Sequence, residues 1–289
     1  MMTTMITTIT RLALGLCLIL HQSAALATHV LTGSAGYICK ETIHHILESR
    51  PSDLVVGLCR SNRVQSEAEY WRKFSEDRVS IQDINEANYP DKFTLYLIAS
   101  NFSPGSEKAK AIENVESVLS AISSVSPRSC QGVVLLSSMA AVRGPGQAPG
   151  PAGVFTSEDW NSVSELREGD FAQSYQYSKT AQEKAFASAC DAAGLSRCSI
   201  CPSLVLGPLR SPTQYGTSLR MIQSWYTGEK VCESRLLVDV RDVATALIKA
   251  GDEVRRGGAR SRYIVSNARR RSGSEIVSVL NSLGGRGVE

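Results

Sequence analysis

Tyr175 and Lys179 stand four residues apart in Tyr175-Gln176-Tyr177-Ser178-Lys179, a spacing that puts two side chains on one face of a helix. Tyr177 is only two residues from Lys179 and faces away from it. A free phenol has a pKa of about 10 and exchanges protons poorly near neutrality. Lowering it to about 7–8 takes about 3–4 kcal/mol, which a neighbouring ammonium can supply by stabilising the phenolate. The pattern therefore points to Tyr175 as an acid–base group and Lys179 as its supporting cation. Such a pair is common on surface helices, so a second feature is needed. Val133-Val134-Leu135-Leu136-Ser137-Ser138 supplies it as a buried strand carrying two hydroxyls at its carboxyl end, where parallel α/β sheets place ligands. One serine caps the strand end. The other, Ser138 by position, can hold a substrate oxygen while the tyrosine exchanges its proton.

A glycine-rich turn suggests what reacts there. In Thr32-Gly33-Ser34-Ala35-Gly36-Tyr37-Ile38, Gly33 permits a tight turn after the first strand. Gly36 lets the backbone approach a pyrophosphate, and the following helix presents its N-terminal dipole to that anion. Cys39 stands where a third glycine is usual. At the end of the second strand an Asp or Glu would bond the ribose 2′-OH, yet the chain reads Cys59-Arg60-Ser61-Asn62-Arg63, with no acid before Glu67. An Arg fork matches a 2′-phosphate in charge and shape, so NADP(H) is expected over NAD(H). Asp83-Ile84 follows the third strand, with Asp83 either facing the adenine or capping a turn.

These residues need a scaffold of alternating strands and helices. Strands are expected at His29–Thr32, Leu54–Cys59, Val79–Ile81, Thr94–Ala99, Gly132–Ser137 and Arg197–Cys201, several of them almost continuously apolar. Helices are expected at Gly36–Ser49, Ser66–Glu76, Glu107–Ser124 and about Gln173–Ala193. A Gly/Pro-rich loop runs from Arg143 to Gly153. The order implies an α/β fold, a doubly wound parallel sheet of Rossmann type. The 289 residues, 43% hydrophobic and 20% charged, exclude a disordered, collagenous or coiled-coil chain. A net charge of +3 gives no sign of a nucleic-acid binder. Eight scattered cysteines read as free thiols of a reducing, cytoplasmic setting, and Cys198 and Cys201, three apart on a strand, should face opposite ways. The four histidines lack companions at ligand spacing, so no metal is expected. Residues 1–27 hold Arg11, the apolar run Leu12–Leu20 and Ala25-Leu26-Ala27, with no acid before Glu41. They fit a signal or transit peptide, or a surface tail, and the run is too short to span a bilayer. The basic residues Arg255, Arg256, Arg260, Arg262 and Arg269–Arg271 read as solvated loop charge. Trp160, Trp225 and Tyr226 read as packing or pocket walls.

Taken together, the chain resembles an extended short-chain dehydrogenase/reductase, nearest the dihydroflavonol 4-reductase and cinnamoyl-CoA reductase group. The resemblance runs from about Thr28 to Leu283. It rests on TGSAGYI at 32–38, LCR at 58–60, VVLLSSMAAV at 133–142, SEDW at 157–160, YQYSKTAQEKA at 175–185, CPSLVLGP at 201–208, VDVRDVATA at 238–246 and RYIVSN at 262–267. It implies Ser138, Tyr175 and Lys179 as the catalytic set, with Lys179 also on the ribose, and Asn114 in a proton relay. It places Gly33, Ala35, Gly36, Tyr37, Ile38, Arg60, Asp83, Ile84, Ala99, Ser100, Pro202 and Ser203 against the cofactor. The implied activity is NADP(H)-dependent reduction of a small-molecule carbonyl. A sugar-nucleotide epimerase or dehydratase and a non-catalytic dinucleotide sensor are the alternatives. The cinnamoyl-CoA reductase signature around the tyrosine is absent, and the chain is short after Asn267. A small, irregular C-terminal substrate lobe is expected, mainly from 203–235 and 250–289, within a domain spanning 28–289.

Overall fold

Neighbouring residues of the central strands feed two different cores. Val30, Leu95, Val133 and Leu135 pack on one side of the sheet; Leu31, Tyr96, Val134 and Leu136 pack on the other. Both faces are therefore covered, which is why these strands read as continuous apolar runs. The computed structural model describes residues 26–101, 105–211, 216–258 and 261–284. The apolar run Leu12–Leu20 lies outside them. Ala27 is buried and its N–H donates to Asp53 Oδ1 at 3.2 Å, so the fold includes the residue before the expected start at Thr28.

The strands are β1 (Thr28–Thr32), β2 (Leu54–Cys59), β3 (Val79–Asp83), β4 (Phe93–Leu97), β5 (Cys130–Leu136), β6 (Arg197–Pro202), β7 (Leu204–Leu206), β8 (Leu237–Asp239) and β9 (Ser261–Val265). The helices are α1 (Tyr37–Ser49), α2 (Ser61–Arg72), α3 (Glu107–Ser123), α4 (Phe171–Ala192), α5 (Thr217–Tyr226), α6 (Val240–Arg255) and α7 (Gly273–Gly284). Seven strands form one parallel sheet in the order β3-β2-β1-β4-β5-β6-β9. The order reverses between β1 and β4, and the crevice at their carboxyl ends is where such sheets take ligands. Helices α1 and α6 cover one face; α3 and α4 cover the other. This is the doubly wound α/β architecture expected.

Some boundaries differ from the sequence reading. Helix α2 starts at Ser61 rather than Ser66, directly after Arg60. Part of the stretch expected in the C-terminal lobe belongs to the main body. Residues 250–255 complete α6, where Gly251 lies so close to the Tyr96 ring that a Cβ there would overlap the phenol oxygen. Strand β9 pairs with β6 as the sheet edge. What remains outside the sheet layers is the two-stranded β7–β8 sheet with α5, α7 and an Arg235–Arg271 bridge. Among the described residues no helix is long and apolar enough to cross a membrane. None of their His, Cys, Asp and Glu side chains form a group that could hold a metal ion. Their seven cysteines are free.

Candidate active site

The turn after β1 is built for close backbone approach. Gly33 has φ +77°, and a Cβ on it would sit 3.1 Å from both Cα and Cβ of Ala99, at the end of β4. The Gly33 and Ser34 N–H groups both donate to Leu58 O (2.8 and 3.1 Å), pinning the turn to β2. Gly36 is the N-cap of α1 and carries no side chain of its own to cap that helix. Thr32 Oγ1 accepts the N–H groups of Ile98 and Ala99 at 3.0 and 3.1 Å, locking the β1 and β4 ends together. Cys39, in the place of a third glycine, is fully buried in the core, and the tight contact falls instead at Gly57, where a Cβ would come within 2.8 Å of Ser34 Cβ.

The two serines at the end of β5 have separate roles. Ser137 is buried and donates to Glu183 Oε2 at 2.6 Å. Ser138 is half-buried, accepts the Ala140 N–H at 3.1 Å and hydrogen-bonds the Tyr175 hydroxyl. Tyr175 lies near the start of α4, its ring stacked on Phe171 at 6.1 Å, while Tyr177 is 39% exposed on another side of the helix. Burial raises the Tyr175 phenol above its usual pKa, and the Ser138 hydrogen bond opposes this only in part. The lowering expected from Lys179 is not seen. The Lys179 ammonium is turned toward Leu136 O (3.3 Å) and Gln182 Oε1 (3.1 Å), and burial brings its own pKa down to about 8.

Beneath this pair lies a polar network that the sequence reading passed over. Glu183 is 1% exposed and accepts from Arg262 Nε at 2.7 Å and Nη2 at 3.2 Å, besides Ser137. Arg262, expected as a solvated charge, is enclosed: its guanidinium lies 4.0 Å over the Trp160 ring and donates to the Ser157 and Asp159 carbonyls. This fixes Trp160 as a packing wall against the sheet edge. Asn114 is buried on α3, and its side chain bonds both the N–H and the carbonyl of Asn101 and also Ser178 Oγ. Its backbone carbonyl accepts from Gln182 Nε2 at 3.3 Å, so Asn114 reaches Lys179 through Gln182. The available signal was the position of Gln182 and Glu183, three and four residues beyond Lys179 on its helix face.

At the end of β2, Arg60 is exposed, and among the described residues its guanidinium makes no ion pair. The next acid along the chain, Glu67, is buried in a 2.9 Å pair with Lys40. Asp83 serves as a cap: it accepts the Asn85 N–H at 2.9 Å and bonds the Ser61 hydroxyl, which holds its carboxyl below the usual range. Ile84 is 37% exposed beside it. Across the crevice, Ser203 donates its N–H to Val265 O at 3.0 Å while its hydroxyl, next to buried Pro202, is buried without a partner. The Tyr37 hydroxyl is likewise buried without a hydrogen bond, near Gly207 and Asp239, and burial raises its pKa. Ala35 and Ile38 flank the turn, and Ser100 Oγ approaches Asn114 Oδ1 at 3.5 Å. A helix N-terminus opening on glycine, two glycines without side chains in the way, an Arg with no ion pair among the described residues and a buried hydroxyl fit a dinucleotide in this crevice.

The fold and site can be set beside known proteins. The sequence profile of the NAD dependent epimerase/dehydratase family matches residues 29–266. Yeast methylglyoxal/isovaleraldehyde reductase, solved with NADPH, is similar at a TM-score of 0.74 with 23% identity, covering 88% of this chain and 82% of that one. Vestitone reductase from alfalfa (Medicago sativa) aligns at 0.70 with 19% identity, over 89% and 81%. The dTDP-glucose 4,6-dehydratase of Bacillus anthracis, in complex with NAD, aligns at 0.67 with 15% identity, over 91% and 82%. No curated protein matches the sequence. The family profile spans the sheet from β1 to β9, and the chain belongs to the NAD-dependent epimerase/dehydratase family.

Proposed function

We propose that the protein is an NADP(H)-dependent oxidoreductase that reduces a small-molecule carbonyl to an alcohol. The observation that carries this reading is the contact between the Ser138 and Tyr175 hydroxyls at the carboxyl edge of the sheet, with Lys179 one helical turn beyond. Bound in the crevice, the nicotinamide supplies hydride to the carbonyl carbon. Ser138 hydrogen-bonds the carbonyl oxygen and positions it. Tyr175, kept protonated by burial, gives its Oη proton to that oxygen as negative charge develops. With the dinucleotide bound, the Lys179 ammonium would hold the ribose and turn from Leu136 O and Gln182 Oε1 toward the phenolate left behind. Fixed donors aimed at the developing oxyanion make the main contribution to lowering the barrier.

The NADP(H) preference rests on Arg60. Among the described residues no carboxylate pairs with it, since Glu67 is committed to Lys40 and Asp83 to its turn. Replacing Arg60 by Asp removes a charge-assisted contact and adds a repulsion. NADPH affinity should fall about 10–100-fold, the equivalent of about 1.5–3 kcal/mol, with NADH affinity much less affected. Titrating both cofactors into the wild-type protein and the variant, with a carbonyl panel assayed in parallel, tests the reading. Equal wild-type affinity for both cofactors would remove the Arg60 argument. Substrate conversion without net NADPH oxidation would favour an epimerase or dehydratase.

A further inference from the structure

The geometry points to Glu183 as a positioning residue that keeps Lys179 charged, anchored by Ser137 and partly neutralised by Arg262. This deepens the proposed function and rests on it. Lys179 is 5% exposed, and its direct partners, Leu136 O and Gln182 Oε1, are neutral. A lone ammonium in such a place tends to lose its proton. Glu183 is one turn further along α4 and almost fully buried. Its carboxylate is fixed from two strand ends, by Ser137 at β5 and by Arg262 from β9.

The other groups around Lys179 add no negative charge. Tyr175 and Ser138 carry hydroxyls. Asn114 contributes its backbone carbonyl through Gln182. The Cys201 thiol on β6, 3.7 Å from Glu183, is pushed up to about 12 by burial and stays neutral. Among the described residues, Glu183 is the only carboxylate whose charge opposes the effect of burial on Lys179. The same carboxylate accepts from Ser137, the residue before Ser138. One buried acid thus holds both the cation and the strand end that carries the substrate-facing hydroxyl.

Two substitutions break the Glu183–Arg262 pair while changing the charge near Lys179 in opposite directions. Glu183→Gln removes the negative charge; Arg262→Gln leaves it uncompensated. The readout is NADPH affinity against pH, with thermal unfolding measured on the same samples. In the wild-type protein, affinity should weaken as pH rises through about 8, where Lys179 loses its proton. In Glu183→Gln this limb should move down by about one pH unit or more. In Arg262→Gln it should move up, and Glu183→Asp, which keeps the charge, should restore most of the wild-type profile. A limb unmoved in Glu183→Gln, or moved down in both variants, would assign the network a purely structural role and overturn the proposal. If Glu183→Gln does not fold, Arg262→Gln still decides, because a limb that is unmoved or displaced to lower pH contradicts the assignment. NADPH binding with unmoved limbs sinks only the Glu183 role; absence of any dinucleotide binding sinks the proposed function as well.

Discussion

Tyr175→Phe should lower turnover by about 10²–10⁴-fold, the usual range for loss of a general acid, while leaving NADPH affinity within about twofold. The ring and its stacking on Phe171 are kept, and only the proton donor beside Ser138 is lost. Tyr177→Phe is the matched control. Tyr177 is 39% exposed and is not on the Lys179 face, so its loss should be mild. Lys179→Met should reduce both turnover and cofactor affinity, because its ammonium serves the tyrosine and the ribose. Steady-state kinetics and separate cofactor titrations on the three variants would decide. An inactive Tyr177→Phe with a near-normal Tyr175→Phe would invalidate the helix-face assignment.

Gly33→Val should abolish measurable cofactor binding and also destabilise the fold by about 1–3 kcal/mol. A β-branched residue is strained at φ +77°, and its Cβ would press on Ala99 at 3.1 Å. The turn could relax only by pulling away from Leu58 and the β4 end. Gly36→Val provides the contrast. Gly36 has φ −80° and ψ 158°, a conformation open to any residue, and its Cβ would meet only Gly33 O, at 3.0 Å. That variant should lose less stability than Gly33→Val, since only the Gly33 carbonyl must give by a few tenths of an ångström, yet lose NADPH affinity on the order of 100-fold, because the side chain would stand between the pyrophosphate and the helix N-terminus. Calorimetric unfolding and cofactor titration of both variants separate the two effects. Undiminished NADPH binding by Gly36→Val would mean that the turn does not hold the phosphates.

The parts of the fold legible in the sequence were those written in local pattern. Runs such as Val133–Leu136, buried on both faces, announce parallel strands without reference to any partner, and Gly33 announces a backbone conformation. The Tyr175–Lys179 spacing places both residues on one helix side, and the structure places Ser138 against Tyr175. What the sequence left obscure depends on distant partners. Glu183 and Arg262 lie 79 residues apart and neutralise each other inside the protein, whereas a local reading of Arg262 beside other arginines suggests solvent. Asp83 could face a ligand or cap a turn, and only the position of Asn85 and Ser61 shows it capping. The charge of Lys179 near Tyr175 suggested a lowered phenol pKa, yet burial raises it, only the Ser138 hydrogen bond opposes this, and the ammonium is directed elsewhere. The last turn of α6, with Asp252, Glu253 and Arg255, reads as polar surface, and that polarity hides the contact of Gly251 with Tyr96.

The proposed reaction at Ser138, Tyr175 and Lys179 is a hydride transfer from a nicotinamide to a carbonyl carbon. It is tested most directly with NADPH deuterated at the transferable C4 position, incubated with the wild-type protein and a panel of aldehydes and ketones. Analysis of the products by mass spectrometry should find an alcohol with one deuterium on the former carbonyl carbon for each NADPH oxidised, and Tyr175→Phe should form that product far more slowly. An unlabelled product, or a substrate altered while the deuterium stays on the cofactor, would contradict the account.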